Sequence, residues 1–297
     1  MLEARDGHAT IPRMTARQAS QVASATTIEI RPNHGWVALN IRELWDYREL
    51  AYFFAWRDLK VRYKQTLFGV LWAIIQPVGL VAVFSLFLGR LGGIAPAGIP
   101  YPLFAFAGLV PWTLFAKAMS AASDSLVAAT NLIQKVYFPR LLLPLSALGG
   151  QLFDFLIGLS VLGVLMLIYG VVPTAQIVFF VPLTLLALAV ALATGIWLSA
   201  ANVRYRDVRQ LVPFVLQIWL FASPVAYSMD VVPQGLRGVY LLNPMVGVIE
   251  GFRWALLGTN SPVLVEALAF SFVTTTFLLI TGLAYFRRVE RTFADVI

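Results

Sequence analysis

The chain has 297 residues, 59% of them hydrophobic and only 12% charged, with a mean hydropathy of +0.79. Soluble domains carry about 25% charged residues, so a water-facing globule is excluded and a membrane class is expected. The lack of cysteine rules out disulfides and thiolate metal sites; both histidines, His8 and His34, fall in the polar N-terminal stretch, which rules out histidine acid–base chemistry inside a membrane.

Residues 1–38 contain no apolar run that would read as a signal peptide. Their Ser, Thr, Ala and Arg content predicts a mobile cytoplasmic tail. Residues 39–297 then form the membrane domain. Its first element, residues 40–64, reads "NIRELWDYRELAYFFAWRDLKVRYK". Ile41, Trp45, Tyr52, Trp56, Leu59 and Tyr63 recur at helical spacing, and Arg42, Asp46, Glu49, Arg57, Lys60 and Lys64 fall on the other side. This is the pattern of an amphipathic helix lying in the membrane interface, rings at headgroup level and cations toward anionic lipid. Such a helix serves as an anchor, or also as a surface for a cytoplasmic partner.

Spans of about 20 apolar residues follow. They are expected at Leu67–Leu88, Pro102–Val127, Leu145–Tyr169, Ile177–Asn202, Leu211–Tyr227 and Val263–Phe286, six in all. A turn at Pro173 separates the third from the fourth. Cations sort by side. Arg57, Lys60, Arg62 and Lys64 precede span one; Lys135 and Arg140 lie between spans two and three; Arg204, Arg206 and Arg209 lie between four and five; Arg287, Arg288 and Arg291 follow span six. The other side holds Arg90, Arg237 and Arg253. The cation-rich side is the cytoplasmic one, and six spans put both termini there. The net charge of +7 is therefore anchoring charge, and no nucleic-acid partner is expected.

Between spans two and three, Pro139 and Pro144 are expected to break the helix, leaving a short cytoplasmic helix flanked by Lys135 and Arg140. The loop after span five, Ser228–Pro262, is long and carries apolar stretches too short to cross. It predicts a short helical pair, with Asn243–Pro244 starting the second helix and Glu250 and Arg253 able to pair at i and i+3. Within the spans, Lys117 and Asp124 share a helix face, and Asp154 is the candidate to neutralise Lys117. No carboxylate pair and no nucleophile with a base recurs, so an embedded hydrolase or transferase is unsupported. None of the lysines is followed by Ser or Thr, so the chain holds no P-loop and cannot itself hydrolyse ATP by that route.

Three stretches carry a resemblance: "WRDLKVRYKQTLFGVLWAIIQP" at the entry to span one, "NLIQKVYFPRLLLPLSA" at 131–147, and "LLNPMVGVIEGFRWALLG" at 241–258. In content and order they resemble ABC-2 type permeases of the polysaccharide and polyol-phosphate export family, which serve O-antigen, capsule and teichoic acid. The resemblance implies an all-α membrane fold: six transmembrane helices, an amphipathic interface helix before them, and a short helical pair in the outer loop between spans five and six. It implies a homodimer working with two copies of an ABC ATPase subunit, which supplies the ATP and Mg chemistry; this chain itself needs no cofactor and no metal. The implied task is moving a lipid-linked, O-antigen-like polysaccharide from the cytoplasm to the outer face of a bacterial inner membrane. Teichoic acid, capsule, or another lipid or drug is the alternative cargo. A channel, an ATP-independent scramblase and a scaffold without transport are the rival classes.

The resemblance also implies roles for residues. Asn131, Lys135, Tyr137, Phe138, Pro139 and Arg140 would couple to the ATPase subunit. Trp45, Trp56, Arg57, Lys60, Arg62, Tyr63 and Lys64 would form the interface helix's contact with lipid. Phe84, Phe87, Trp219, Phe221 and Tyr227 would line the channel, where rings can stack on the apolar faces of sugars. Asn243, Pro244, Glu250 and Arg253 would belong to an outer gate.

Overall fold

The computed structural model describes residues 41–64, 71–93 and 98–290. The expected tail, the entry residues Leu67–Val70 and Arg291 lie outside the described residues. Every regular element described is helical. Helices α1 (Ile41–Asp46) and α2 (Arg48–Lys64) come first, separated at Tyr47. The membrane body consists of α3 (Leu71–Phe84), α4 (Tyr101–Ala128), the single turn α5 (Thr130–Ile133), α6 (Leu142–Ile168), α7 (Phe180–Arg204) and α8 (Val208–Phe221), then α9 (Gln234–Leu241), α10 (Pro244–Leu257) and α11 (Leu264–Glu290).

Helix α4 is the axis of the fold. Of its apolar stretch 78% is buried in the chain, against 11% for the first span, 22% for α6, 39% for α7 and 22% for α11. It packs against α3, α6, α7, α8 and α10. Small residues permit the close crossings that membrane helices depend on. A Cβ at Gly195 of α7 would come 2.6 Å from the Cβ of Ala122 on α4. At Gly247 of α10, a Cβ would overlap the Ala267 carbonyl oxygen and the Ser271 hydroxyl of α11, and Ser271 Oγ accepts the Gly247 N–H at 3.2 Å. Because a backbone oxygen cannot swing aside, Gly247→Ala is expected to cost about 1–3 kcal/mol through overpacking. At roughly 2–4 °C per kcal/mol for a chain of this size class, a thermal scan of the detergent-solubilised chain would read the loss.

Helix ends follow local chemistry. Pro100 and Pro102 open α4, where a missing N–H is harmless. Gly170, at φ +66°, ends α6 in the left-handed conformation that suits glycine. The turn that follows leads through a 3₁₀ segment, Ala175–Phe179, into α7. Pro144 does not break a helix as expected; it sits in the first turn of α6, which begins at Leu142.

Among the described residues, five helical stretches are long and apolar enough to cross a bilayer. The fifth expected span, Leu211–Tyr227, is instead the 14-residue α8, ending at Phe221. At ~1.5 Å per residue it covers about 21 Å, short of the roughly 30 Å hydrocarbon core. Pro224 explains the early stop: proline removes one amide donor and pushes Ser223 out of the helical region. Pro77, by contrast, is accommodated inside α3. Beyond Phe84 the first span continues as a π-helix, Ser85–Leu91, with Gly92 N–H donating to Phe87 O at 2.9 Å. Gly89 lets that segment lie against the Tyr101 ring, whose Cδ1 would be 2.9 Å from a Cβ there.

Candidate functional site

The loop after α4 has an inward and an outward half. Phe138 is buried, its ring edge-on to buried Phe54 of α2 at 5.8 Å. Arg140 Nη1 donates to the Glu290 carbonyl at 2.6 Å, satisfying one of the orphan acceptors at the end of α11. Pro139 is half-buried, while Asn131, Lys135 and Tyr137 are exposed, Tyr137 at 64%. Residues 133–138 and Arg140 surround a hollow of about 250 Å³. Partial burial raises the Tyr137 phenol above its usual range; Glu43, Tyr47 and Glu290 add to this and Arg140 opposes it. The loop thus sits near α1 and the end of α11, with Tyr137 and Lys135 presented outward.

Helix α2 turns one face to the bundle and another away. Phe54 is buried, and Ala55 meets Gly149 of α6, where a Cβ would be 2.8 Å from Ala55 Cβ. Tyr52, Phe53 and Trp56 are exposed, as is Trp45 of α1; Tyr52 and Trp56 stack at 6.5 Å, and the Lys60 ammonium lies 5.3 Å from the Trp56 ring centroid. Arg57 pairs with Asp58 at 2.9 Å on the surface. The expected single apolar face therefore divides. Trp45, Trp56, Arg57, Lys60 and Lys64 point outward, but Arg62 and Tyr63 turn into the bundle to reach Asp154. Burial raises the Tyr63 phenol above its usual range, its hydrogen bond to Asp154 raises it further, and Arg62 opposes both.

Asp154 of α6 gathers a polar cluster between helices. Lys117 Nζ of α4 donates to its Oδ2 at 2.7 Å, Arg62 Nη1 to the same oxygen at 3.3 Å, and the Tyr63 hydroxyl to Oδ1. Arg62 also donates to Gln151 Oε1 at 2.8 Å. A gap of about 80 Å³ beside this cluster is lined by Gln76 and Pro77 of α3 and by Thr113, Lys117, Gln151 and Asp154. Asp154 was the candidate to neutralise Lys117 because it is an acidic residue in another span; the reach of Arg62 and Tyr63 across about 90 positions was not legible. Asp124 turns instead to Asn202 Nδ2 at 3.2 Å and Arg209 Nε at 3.7 Å.

At the other end of the fold, Arg253 is fully buried and Glu250 nearly so. Arg253 donates to Glu250 Oε1 at 3.0 Å, to Val225 O at 2.6 Å, to Phe104 O at 3.3 Å and to Tyr227 O at 3.4 Å. Its guanidinium carbon lies 3.6 Å from the Phe104 ring centroid. Gly108 makes room for it: a Cβ there would be 2.7 Å from Arg253 Nη2. The spacing predicted only that Glu250 and Arg253 can pair on one helix face. The structure buries the pair as a tie between α10, α4 and the turn after α8.

Asn243 caps α10 by accepting from Met245 N at 3.0 Å, ahead of the buried Pro244 in the first turn. Its Oδ1 also accepts the Trp219 indole N–H at 2.9 Å, and its amide donates to Ala222 O at 3.1 Å and Ser223 Oγ at 2.8 Å. Asn243→Ala is expected to cost about 1–2 kcal/mol through the lost cap and the orphaned indole donor. Asn243→Asp keeps both acceptor roles and is expected to recover part of the loss in the same melting assay.

The five aromatics expected to line a channel do not share one environment. Phe84 is buried in the core, and Trp219 packs on Phe115 and Trp112 of α4 at 5.0 and 6.4 Å. Tyr227 is half-buried, its hydroxyl donating to Phe221 O at 2.8 Å and 3.2 Å from that of Tyr240. Only Phe87 and Phe221 expose most of their rings, at 57% and 61%.

Residues 49–257 match the family described as ABC-2 type transporter. The chain belongs to the ABC-2 type transporter family. The ABC-2 match opens just inside α2 and closes at the last residue of α10, so the two interior ties just described fall within it. This ABC-2 chain is 33% identical to the O-antigen export system permease protein RfbA of Myxococcus xanthus over 216 residues, 72% of this chain and 82% of the relative. It is 29% identical to an RfbA of the same description from Klebsiella pneumoniae over 243 residues, covering 81% and 92%. The polysialic acid transport protein KpsM of Escherichia coli is 25% identical over 241 residues, covering 79% and 91%.

Proposed function

We propose that this chain is the permease subunit of an ABC exporter that carries a lipid-linked cell-surface polysaccharide, O-antigen-like, from the cytoplasm to the outer face of the bacterial inner membrane. The observation that carries the reading is the near full-length likeness to relatives named for O-antigen export, reaching 92% of one of them. Two copies enclose the passage, and two copies of a separate ATPase subunit drive it with ATP and Mg. The missing P-loop in the sequence is in keeping with energy supplied by another chain.

In this reading α8 and the turn through Tyr227 together make the fifth of six crossings, so that both termini lie in the cytoplasm with the cation-rich ends. Helices α3 and α8 bury only two residues each within the chain, and they face the second copy with Phe87 and Phe221 toward the glycan. Asn131, Lys135 and Tyr137 meet the ATPase subunit; Phe138, Pro139 and Arg140 hold that surface in shape. The rings of α2 rest among membrane lipids. The outer pair α9 and α10, set by Asn243, Pro244, Glu250 and Arg253, closes the outer mouth.

The test is reconstitution. The chain and its ATPase partner, placed together in proteoliposomes with a lipid-linked glycan, should make the glycan accessible to an external glycosidase only when ATP and Mg are supplied. Glycan movement by the chain alone would instead favour a channel or scramblase. Movement of a drug or simple lipid but no glycan would favour the alternative cargo.

A further inference from the structure

Helix α2 is fastened to the membrane body at two points. The first is Phe54, buried beside Phe138, with Ala55 close against Gly149 of α6. The second lies eight residues on, roughly 12 Å along the helix, where Arg62 and Tyr63 both donate to Asp154. Asp154 uses both carboxylate oxygens, and its remaining donor, Lys117, comes from α4. The carboxylate is the enclosed member, its side chain 9% exposed against 38% for Arg62 and 37% for Lys117. Three donors from two other helices thus converge on one buried acceptor.

The gap beside Asp154 also touches Gln76 and Pro77 of α3. Pro77 has no N–H to give to the carbonyl four residues back, so α3 bends most easily there. A shift of the 134–141 loop must displace Phe54, because the two rings are packed. A continuous α-helix transmits that displacement along its length to Arg62 and Tyr63. It then arrives at Asp154, beside the point where α3 is weakest.

We propose that Asp154 is the positioning residue that transmits movement of the cytoplasmic loop, through α2, to α4 and the proline bend of α3. The proposal rests on the transport reading for what moves the loop. It adds a specific node to that reading, acting through Arg62, Tyr63 and Lys117 rather than on the glycan.

Asp154→Asn alone leaves Arg62 and Lys117 facing each other without a counter-charge, and misfolding would mask the effect. The informative variant is D154N with K117M, which removes one charge of each sign. The chain has no native cysteine, so spin labels at exposed Val61 of α2 and Leu156 of α6 report the α2–α6 distance cleanly. In the complete complex, the unsubstituted pair should show a narrow distance distribution that shifts when ATP is added. The double variant should assemble and hydrolyse ATP, yet show a broadened distribution with no ATP-dependent shift and at least a tenfold fall in glycan moved per ATP. Asp154→Glu should recover part of the coupling.

A double variant with an unchanged distance response and unchanged export per ATP overturns the proposal. So does a variant whose only defect is lower thermal stability. If the unsubstituted complex hydrolyses ATP without moving glycan, the export reading falls, while the ATP-dependent α2–α6 shift and its loss in the double variant still decide the role of Asp154.

Discussion

Arg253→Leu is expected to remove most of the folded chain from the membrane. The side chain is entirely enclosed, and the substitution strands the Glu250 carboxylate, which lies 3.0 Å from the guanidinium. Breaking a buried pair by removing one partner costs about 3–5 kcal/mol. Three backbone carbonyls, of Phe104, Val225 and Tyr227, lose a donor at the same time. The contact with the Phe104 ring is lost too, and desolvated cation–π pairs are worth about 2 kcal/mol or more. Net stabilities of about 5–15 kcal/mol leave little after such a loss. Arg253→Lys is not expected to rescue it. An ammonium is a point donor, and one nitrogen cannot reach acceptors on α4, on the turn after α8 and on α10 together.

Removing both charges should hurt less than removing one. Glu250→Gln with Arg253→Met leaves no uncompensated ion, and buried pairs replaced together by apolar or neutral groups are often near neutral. Size-exclusion of fluorescently tagged protein in mild detergent, with a thermal midpoint for each variant, would rank them. Equal yields of Arg253→Leu and the double variant would show that burial of an unpaired Glu250 is not what the arginine prevents.

Much of the helical layout was legible because hydropathy reports directly on helices that must shed water. The long apolar runs at α4, α6, α7 and α11 came within a few residues of their observed ends. The short helical pair α9–α10 was legible from Asn243–Pro244, since a capping side chain followed by proline is a start signal with a local cause. What hydropathy does not report is which way a ring faces. Phe84 and Trp219 look in sequence like Phe87 and Phe221, because a phenyl or indole in a span is equally at home against lipid, a second copy or its own core. The same limit hid the burial of Arg253. Its pairing with Glu250 is a matter of spacing on one helix, but its enclosure depends on Gly108 and on the turn after α8, both distant in sequence. The π-helical end of the first span has no local signal either, since Ser85–Leu91 reads as a continuation of an apolar helix.

The loop between α5 and α6 is where the structure most changes the experiment to perform. The resemblance implies that Phe138 and Arg140 couple to an ATPase subunit. The structure assigns both an intramolecular contact, Phe138 with Phe54 and Arg140 with the end of α11. Phe138→Ala is therefore expected to leave a cavity and cost about 3 kcal/mol in the isolated permease, so that a transport defect would not by itself report on a partner. Tyr137 is the cleaner probe. It is 64% exposed, rigid and amphipathic, the kind of side chain that dominates interfaces. Tyr137→Ala is expected to leave the thermal midpoint of the permease unchanged and to weaken capture of the ATPase subunit roughly 30-fold, the equivalent of about 2 kcal/mol. Lys135→Ala should act more weakly and mainly at low salt, because an exposed cation is screened. Measured together by titration of the ATPase subunit and by melting of the permease alone, the pair Tyr137→Ala and Phe138→Ala separates the two roles. Tyr137 should move binding only, and Phe138 should move both. A Tyr137 variant that binds and stimulates the ATPase subunit normally would place the docking surface elsewhere, with the outward rings of α2 as the next surface to test.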